Sequence, residues 1–299
     1  MQSASKILMV RPVNFGFNEE TAINNSFQIK GYEESANAKA LAEFDRFVGL
    51  LRENGVDVYV VNDTPKPYTP DSIFPNNWFS THEGGTLVLY PMFAPNRRAE
   101  RKEGVLDTIR RVFNTVRVVD LTVAEDKGKF LEGTGSMVID RDHDIVFACR
   151  SPRSDEGVLM QFCEELECDY YMFDAVDAAE NPIYHTNVIM TIGCGFAVIC
   201  LDAVKDIDER VALIDLLEEN DKEIIEISLE QMVNFAGNML EVRSMKGEPL
   251  LVMSERAKQS LESSQISSFE KYCRILSVDL EYIENNGGGS ARCMMAEIY

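Results

Sequence analysis

The chain has 299 residues, 45% of them apolar, a length and composition that suit one large domain or two ordinary ones and exclude a disordered segment. With 29 Lys and Arg against 50 Asp and Glu the formal net charge is −21, so no general positive field exists to attract nucleic acid or an anionic membrane. Only a local basic patch would serve a small anionic group.

The N-terminal stretch Met1 to Lys6 is polar, and Ile7 to Val10 is too short for the core of a signal peptide, so a cytoplasmic location is the default expectation. From about Lys39 to Leu51, apolar Leu41, Phe44, Val48 and Leu51 recur at spacings of three and four, which predicts a helix stopped by Asn54-Gly55. Strands are expected at Val56–Val61 and Thr86–Tyr90, a helix at Ala99–Phe113, and strands at Val116–Val119, Ser136–Ile139 and Asp144–Cys149. A helix follows at Asp155–Leu166. Strands Ile183–Ile192 and Phe196–Leu201 flank Gly193-Cys194-Gly195, which breaks a nearly uncharged run too short for the ~20 residues of a membrane span. Further helices are expected at Asp206–Leu217 and, with a Ser-rich break, at roughly Glu255–Leu276, before a strand at Val278–Ile283.

Five helices at intervals of about 60 residues, most flanked by two or three strands, suggest five strand-rich units repeated around an axis. A doubly wound parallel sheet would require one strand per helix and a glycine-rich first turn, and no GxGxxG occurs. With no Pro- or Ser-rich linker, residues 1–299 are read as a single α/β domain.

The seven cysteines are odd in number and lack CxxC spacing, which predicts free thiols. Cys293 stands apart in Asn285-Asn286-Gly287-Gly288-Gly289-Ser290-Ala291-Arg292-Cys293, where glycines permit close approach to a ligand and Arg292 would favour a thiolate. The alternative is a flexible segment with an incidental Cys. Such a thiol needs a histidine, and there are three. His143 lies in a charged turn, Asp140 to Asp144, and reads as solvated. His185 opens the expected strand in Tyr184-His185-Thr186-Asn187, and His82 ends the polar–aromatic stretch Phe74-Pro75-Asn76-Asn77-Trp78-Phe79-Ser80-Thr81-His82; taken alone, each reads as a hydrogen-bonded structural residue more readily than as a catalyst. Glu132 precedes Gly133-Thr134-Gly135-Ser136, and Arg97, Arg98 and Arg153 near predicted loops are suited to clamping a carboxylate. Neither HxxxH nor a nucleotide-binding loop is present, so neither metal nor cofactor is expected.

Taken in order, Pro75-Asn76-x-x-Phe79, Ala94-Pro95-x-Arg97-Arg98, Glu132-Gly133, Ser151-x-Arg153, His185 and the Gly-rich loop with Cys293 resemble the guanidino-group-modifying superfamily of arginine deiminases, dimethylarginine hydrolases and amidinotransferases. Within it, the pattern is most similar to the citrulline-utilisation hydrolase branch. The resemblance implies a five-unit α/β propeller (the pentein fold), with Cys293 as nucleophile, His185 as general acid/base and Glu132 supporting the histidine. It further implies substrate contacts from Asn76 and from Arg153 with Arg97 or Arg98, a small-molecule amino-acid substrate, and an oligomeric state for which a homodimer is one form.

Two departures shape the expected substrate. Arginine deiminases carry acids at the positions assigned to His82 and Asn187, and those acids pair with a guanidinium. Without them a buried guanidinium would cost several kcal/mol, so the resemblance points to a neutral ureido group held by His82 and Asn187, with citrulline giving ornithine, carbon dioxide and ammonia. The competing readings are an arginine-deiminase-like or dimethylarginine-hydrolase-like enzyme, with Asp71 or another acid replacing the missing carboxylates, and a non-enzymatic propeller module that binds ribosomes.

Overall fold

The computed structural model describes residues 1–30 and 36–299. Its strands, in chain order, are β1 (Lys6–Arg11), β2 (Asp57–Asn62), β3 (Phe79–His82), β4 (Thr86–Leu89), β5 (Arg117–Asp120), β6 (Met137–Asp140), β7 (Ile145–Cys149), β8 (Asp169–Phe173), β9 (Met190–Ile192), β10 (Phe196–Ile199), β11 (Glu223–Glu226), β12 (Leu240–Arg243), β13 (Pro249–Ser254), β14 (Arg274–Val278) and β15 (Ala296–Ile298). They form five three-stranded sheets: β15-β1-β2, β3-β4-β5, β6-β7-β8, β9-β10-β11 and β12-β13-β14. In each, the middle strand pairs antiparallel with a short inner strand and parallel with an outer one. A parallel neighbour requires a crossover, and one helical segment supplies it in every unit: Ala36–Glu53, Glu103–Val112, Glu156–Leu166, Ile207–Glu219, and the pair Glu255–Ser260 and Ser263–Phe269. This arrangement fits the pseudo-fivefold repeat read from the helix spacing.

The middle strands are covered on both faces, so they read as continuous apolar runs. Ile145-Val146-Phe147-Ala148-Cys149 is buried at every position. The first helix buries Ala40, Phe44, Phe47 and Leu51, a stripe at helical spacing, in the same cluster as Ile7, Met9 and Val58. Helix starts are set by side chains: Asp155 accepts from Val158 N at 3.1 Å, Asp206 from Asp208 N and Glu209 N, and Ser254 from Ala257 N at 3.1 Å. Among the described residues no helix is long and apolar enough to cross a membrane.

Four expectations change. The helix expected over roughly Glu255–Leu276 is two short ones, Glu255–Ser260 and Ser263–Phe269, and Arg274–Leu276 belongs to β14, paired with β13. Of the run Ile183–Ile192 only Met190–Ile192 is strand, because Thr186 Oγ1 accepts from Cys149 N (2.7 Å) and donates to Ser136 O (2.5 Å), tying this segment to the neighbouring unit instead of to a ladder. The helix expected from Ala99 begins at Glu103, after a separate turn at Pro95–Arg98. The strand expected at Val278–Ile283 is instead the end of β14 followed by a helix, Glu281–Gly287. Its first turn is held by Glu43, whose carboxylate accepts from the Tyr282 and Ile283 N–H groups at 3.0 Å each.

Candidate active site

A short turn precedes each inner strand, and these five turns meet at one end of the axis: Pro75–Asn77 before β3, Gly133–Ser136 before β6, Thr186–Val188 before β9, the turn ending at Asn238 before β12, and Ala291–Met294 before β15. Each contributes chemistry. The packing leaves no room at Gly135, where a Cβ would run into Asn77 Nδ2 and stand 2.8 Å from His185 Nδ1. The Asn77 amide and the imidazole are thus brought to the same spot.

His185 and Glu132 are both buried, with Nε2 2.7 Å from Glu132 Oε2. The same oxygen accepts from Arg153 at 3.3 Å, and the other accepts from Phe93 N at 3.0 Å. Burial alone would raise the Glu132 carboxyl, but Arg153, the imidazole and Arg97 outweigh it and hold it well below the usual carboxylate range. Burial lowers His185 to about 4, against the pull of Glu132. The resting pair is therefore a carboxylate accepting from a neutral imidazole, which fixes Nε2 as the protonated nitrogen and leaves Nδ1 available to exchange a proton.

Cys293 is 6% exposed, and burial pushes its thiol up, opposed by Ser290, Asn238, Arg292 and Asn187. Its sulfur lies 3.3 Å from Asn238 Nδ2 and 3.8 Å from Asn187 Nδ2. Arg292 is less of a thiolate partner than its adjacency suggested, since its guanidinium turns to Met295 O (2.9 Å) and Glu297 Oε2 (2.8 Å).

Several buried polar atoms have no partner among the described residues: Asn77 Nδ2, Asn187 Oδ1, Asn76 Oδ1 and Asp71 Oδ1. Asn187 Nδ2 donates to Thr134 O at 3.0 Å and Asn76 Nδ2 to Thr134 Oγ1 at 3.3 Å, so each free oxygen belongs to an amide whose nitrogen is engaged. Arg97 is buried, bonded to both oxygens of Glu100 (2.8 and 3.0 Å) and to Asn77 Oδ1 (2.8 Å), with Asp71 at 4.0 Å. Arg153 also contacts Thr21 O and Asn24. Arg98 is partly exposed and bonds to Met92 O and Phe93 O. The segment 14–30 lies over this region: Asn18 and Thr21 bond to Asp71, Asn24 to Arg153, and Gln28 to Gly287 O.

His82 is not where the sequence reading set it. Its ring bonds to Ser80 Oγ (2.7 Å) and Arg141 (3.1 Å), packs on Phe162, and lines a separate cavity of about 190 Å³ with Met1, Cys168 and Leu166. The reason is the course of β3, which leads away from the site: Asn77 sits at its near end, and His82 pairs with Thr86 at the hairpin end. Asn77, three positions after Phe74, occupies the place expected of His82. His143 bonds to Asp140 at 3.0 Å, half-exposed in its turn. Asn238 carried no motif in the sequence. Its signal was positional, since Asn77 and Asn238 both fall two residues before an inner strand. Among the described residues no group of three or more His, Cys, Asp or Glu is arranged to hold a metal ion.

A family model described as N,N dimethylarginine dimethylhydrolase, eukaryotic, matches residues 11–299. No curated protein matches the chain. Among solved structures the chain is similar to apo ArgZ, an arginine dihydrolase from the ornithine–ammonia cycle in cyanobacteria, with a TM-score of 0.76 at 18% identity over 97% of this chain. It spans 40% of that protein's length. It is similar also to the N-terminal domain of ArgZ covalently bound to a reaction intermediate (TM-score 0.77, 18% identity, 98% of this chain and 97% of that one). A third likeness is to DDAH from Pseudomonas aeruginosa complexed with citrulline (TM-score 0.68, 16% identity, 99% of each chain). These likenesses establish the fold, and the family match extends over nearly all of the sequence. The chain therefore belongs to the N,N dimethylarginine dimethylhydrolase family, within the amidinotransferase superfamily, and is a hydrolase of carbon–nitrogen bonds.

Proposed function

We propose that the substrate is citrulline or a similar ureido amino acid, cleaved through a covalent bond to Cys293. The observation that carries this reading is the pair of unpartnered amide atoms beside the imidazole and the sulfur: Asn77 Nδ2, a donor, and Asn187 Oδ1, an acceptor. A ureido group offers the complement, a carbonyl oxygen that accepts and N–H groups that donate. A guanidinium has only donors and carries a charge, and Glu132 is already committed to His185 and Arg153. Desolvating that charge without a free carboxylate opposite it is strongly unfavourable.

In this scheme the Cys293 proton passes to His185 and the sulfur attacks the ureido carbon. The Asn77 amide N–H, the unpartnered donor among the described residues, stabilises the oxyanion. The C–N bond to the ornithine side chain breaks as His185 returns the proton to the leaving amine. Water, deprotonated by His185, then attacks the carbamoyl thioester, the C–S bond breaks, and the carbamate released decomposes to carbon dioxide and ammonia. One water is consumed per citrulline. At the amino-acid end Asp71 keeps an oxygen for the ammonium, while Arg97 and Arg153 meet a carboxylate only by releasing part of their bonds to Glu100, Asn77, Thr21 and Asn24.

Asp71 favours a second reading. Its Oδ1 is a buried carboxyl oxygen without a partner among the described residues, so a guanidino substrate such as arginine or a methylated arginine would find one counter-charge if it lay toward Asp71. Parallel turnover assays on citrulline, arginine and methylated arginines separate the two, with Cys293→Ala as the inactive control. Under the ureido reading, Asn77→Asp with Asn187→Asp moves preference from citrulline toward guanidino compounds. Selectivity unchanged by that pair refutes it.

A further inference from the structure

Asn238 has no role in the scheme above, yet it is the side chain closest to the sulfur among the hydrogen bonds made there. It is 1% exposed, and every arm of its amide is occupied. Nδ2 donates to Asn187 O at 2.9 Å and faces Cys293 Sγ at 3.3 Å; Oδ1 accepts from Arg292 N at 3.1 Å and lies 3.6 Å from the same sulfur. The amide is thereby locked by two backbone groups from different units, one beside the acid/base histidine and one beside the nucleophile.

We infer that Asn238 is a catalytic residue of the thiol step, presenting an acceptor to the Cys293 S–H and a donor to its thiolate without having to move. A sulfur in this chemistry changes protonation twice per turnover. A water-exposed thiol would reorganise solvent at each change, whereas a locked carboxamide has both partners in place. Asn187 cannot substitute, because it stands at 3.8 Å and its Nδ2 is engaged by Thr134 O. The titratable groups around the sulfur are Arg292 on its own turn, directed to Glu297, and Tyr184 and His185 ahead of β9, with Glu132 behind the imidazole. None of them offers Cys293 a direct hydrogen bond among the described residues.

The inference rests on Cys293 being the nucleophile, not on the identity of the substrate, so its test is read without substrate. The thiolate absorbance of Cys293 is titrated with pH as a difference against Cys293→Ala, for the wild-type chain, Asn238→Ala and Asn238→Asp. In Asn238→Ala the midpoint is expected to rise by about one unit, which is a tenfold loss of thiolate at fixed pH. In Asn238→Asp, where a carboxylate faces the sulfur, the rise is expected to be larger. In turnover, kcat falls with KM little changed, and part of the loss in Asn238→Ala is recovered at higher pH, which a purely structural defect would not show. Should Asn238→Ala fail to fold, Asn238→Asp decides alone, since it keeps the acceptor for Arg292 N. Midpoints equal to wild type in the folded variants overturn the inference, whatever the assays on citrulline show.

Discussion

Replacing Glu132 with Gln keeps the side chain's shape and removes its charge. Two partners lose by it. The imidazole of His185 gives up a charge-assisted hydrogen bond of 2.7 Å, of the kind that contributes about 1.5–3 kcal/mol. Arg153, whose side chain is 2% exposed, is left as a buried cation without its carboxylate, a change that typically costs about 3–5 kcal/mol. Both contacts use the same oxygen, so the terms overlap and the total stays near the larger one. At roughly 2 °C per kcal/mol for a domain of this size, the melting temperature should fall by about 6–10 °C. Activity should fall by about 10²–10⁴, the range for a misdirected acid/base group. The pH dependence has a definite sign. Because the folded carboxyl is held below its unfolded value, its stabilisation is present above the unfolded pKa of about 4.3 and is lost as pH falls through the folded value. Calorimetry of both chains should therefore show the full gap at neutral pH and a narrowing gap in acid. A variant that melts with the wild type at neutral pH, or a gap that does not shrink in acid, refutes the reasoning.

Gly135→Ala places a methyl group against the Asn77 amide and the His185 ring, which Arg97 and Glu132 hold in place, so both must shift and kcat should drop by about 10²; circular dichroism beside the turnover assay checks that the fold survives. Glu43 is raised to about 7 by burial, against the two N–H groups it accepts from, so the wild type loses stability as pH rises through about 7. Glu43→Gln should flatten the melting temperature over that interval, and an unchanged profile would count against the assignment. His82→Ala should cost stability, about 1–3 kcal/mol from Ser80 and Arg141 losing a buried partner, yet leave substrate preference as it is. A shift in the ratio of citrulline to arginine turnover would return His82 to the pocket.

The first four crossover helices are legible from apolar residues at helical spacing, with capping side chains at Asp155 and Asp206, whereas the fifth, Glu255–Ser260 and Ser263–Phe269, buries only Ala257 and Phe269 and its end is not legible. Among the strands not expected from sequence, β11 and β3 are brief with polar ends, Glu223-Ile224-Ile225-Glu226 having one fully buried residue and β3 being Phe-Ser-Thr-His, whereas β1 and β13 are six residues long and mostly buried, apolar runs whose period does not tell strand from buried helix. Their strand character comes from a paired neighbour, which no local pattern contains. Of the site, Glu132, His185 and Asn187 were readable, since each sits beside a glycine turn or an apolar run that anchors it. The order of residues after Phe74 was readable too, but not the point where the turn at Pro75–Asn77 gives way to strand. That point decides which side chain faces inward, and it brings Asn77 rather than His82 to the site. Asn238 lies in a stretch of unremarkable composition, and only superposing the five units brings it level with the others.

The turn bearing Cys293 runs directly into β15, which zips against β1 in a register that joins Ile298 to Lys6 and packs beside β3. This is the most sequence-distant pairing in the molecule, the kind whose loop-closure entropy makes it slow to form. Placement of Cys293 and ring closure are consequently one event. A refolding chain should regain its secondary structure well before its catalysis, and the sulfur stays chemically ordinary until the last seam is drawn shut.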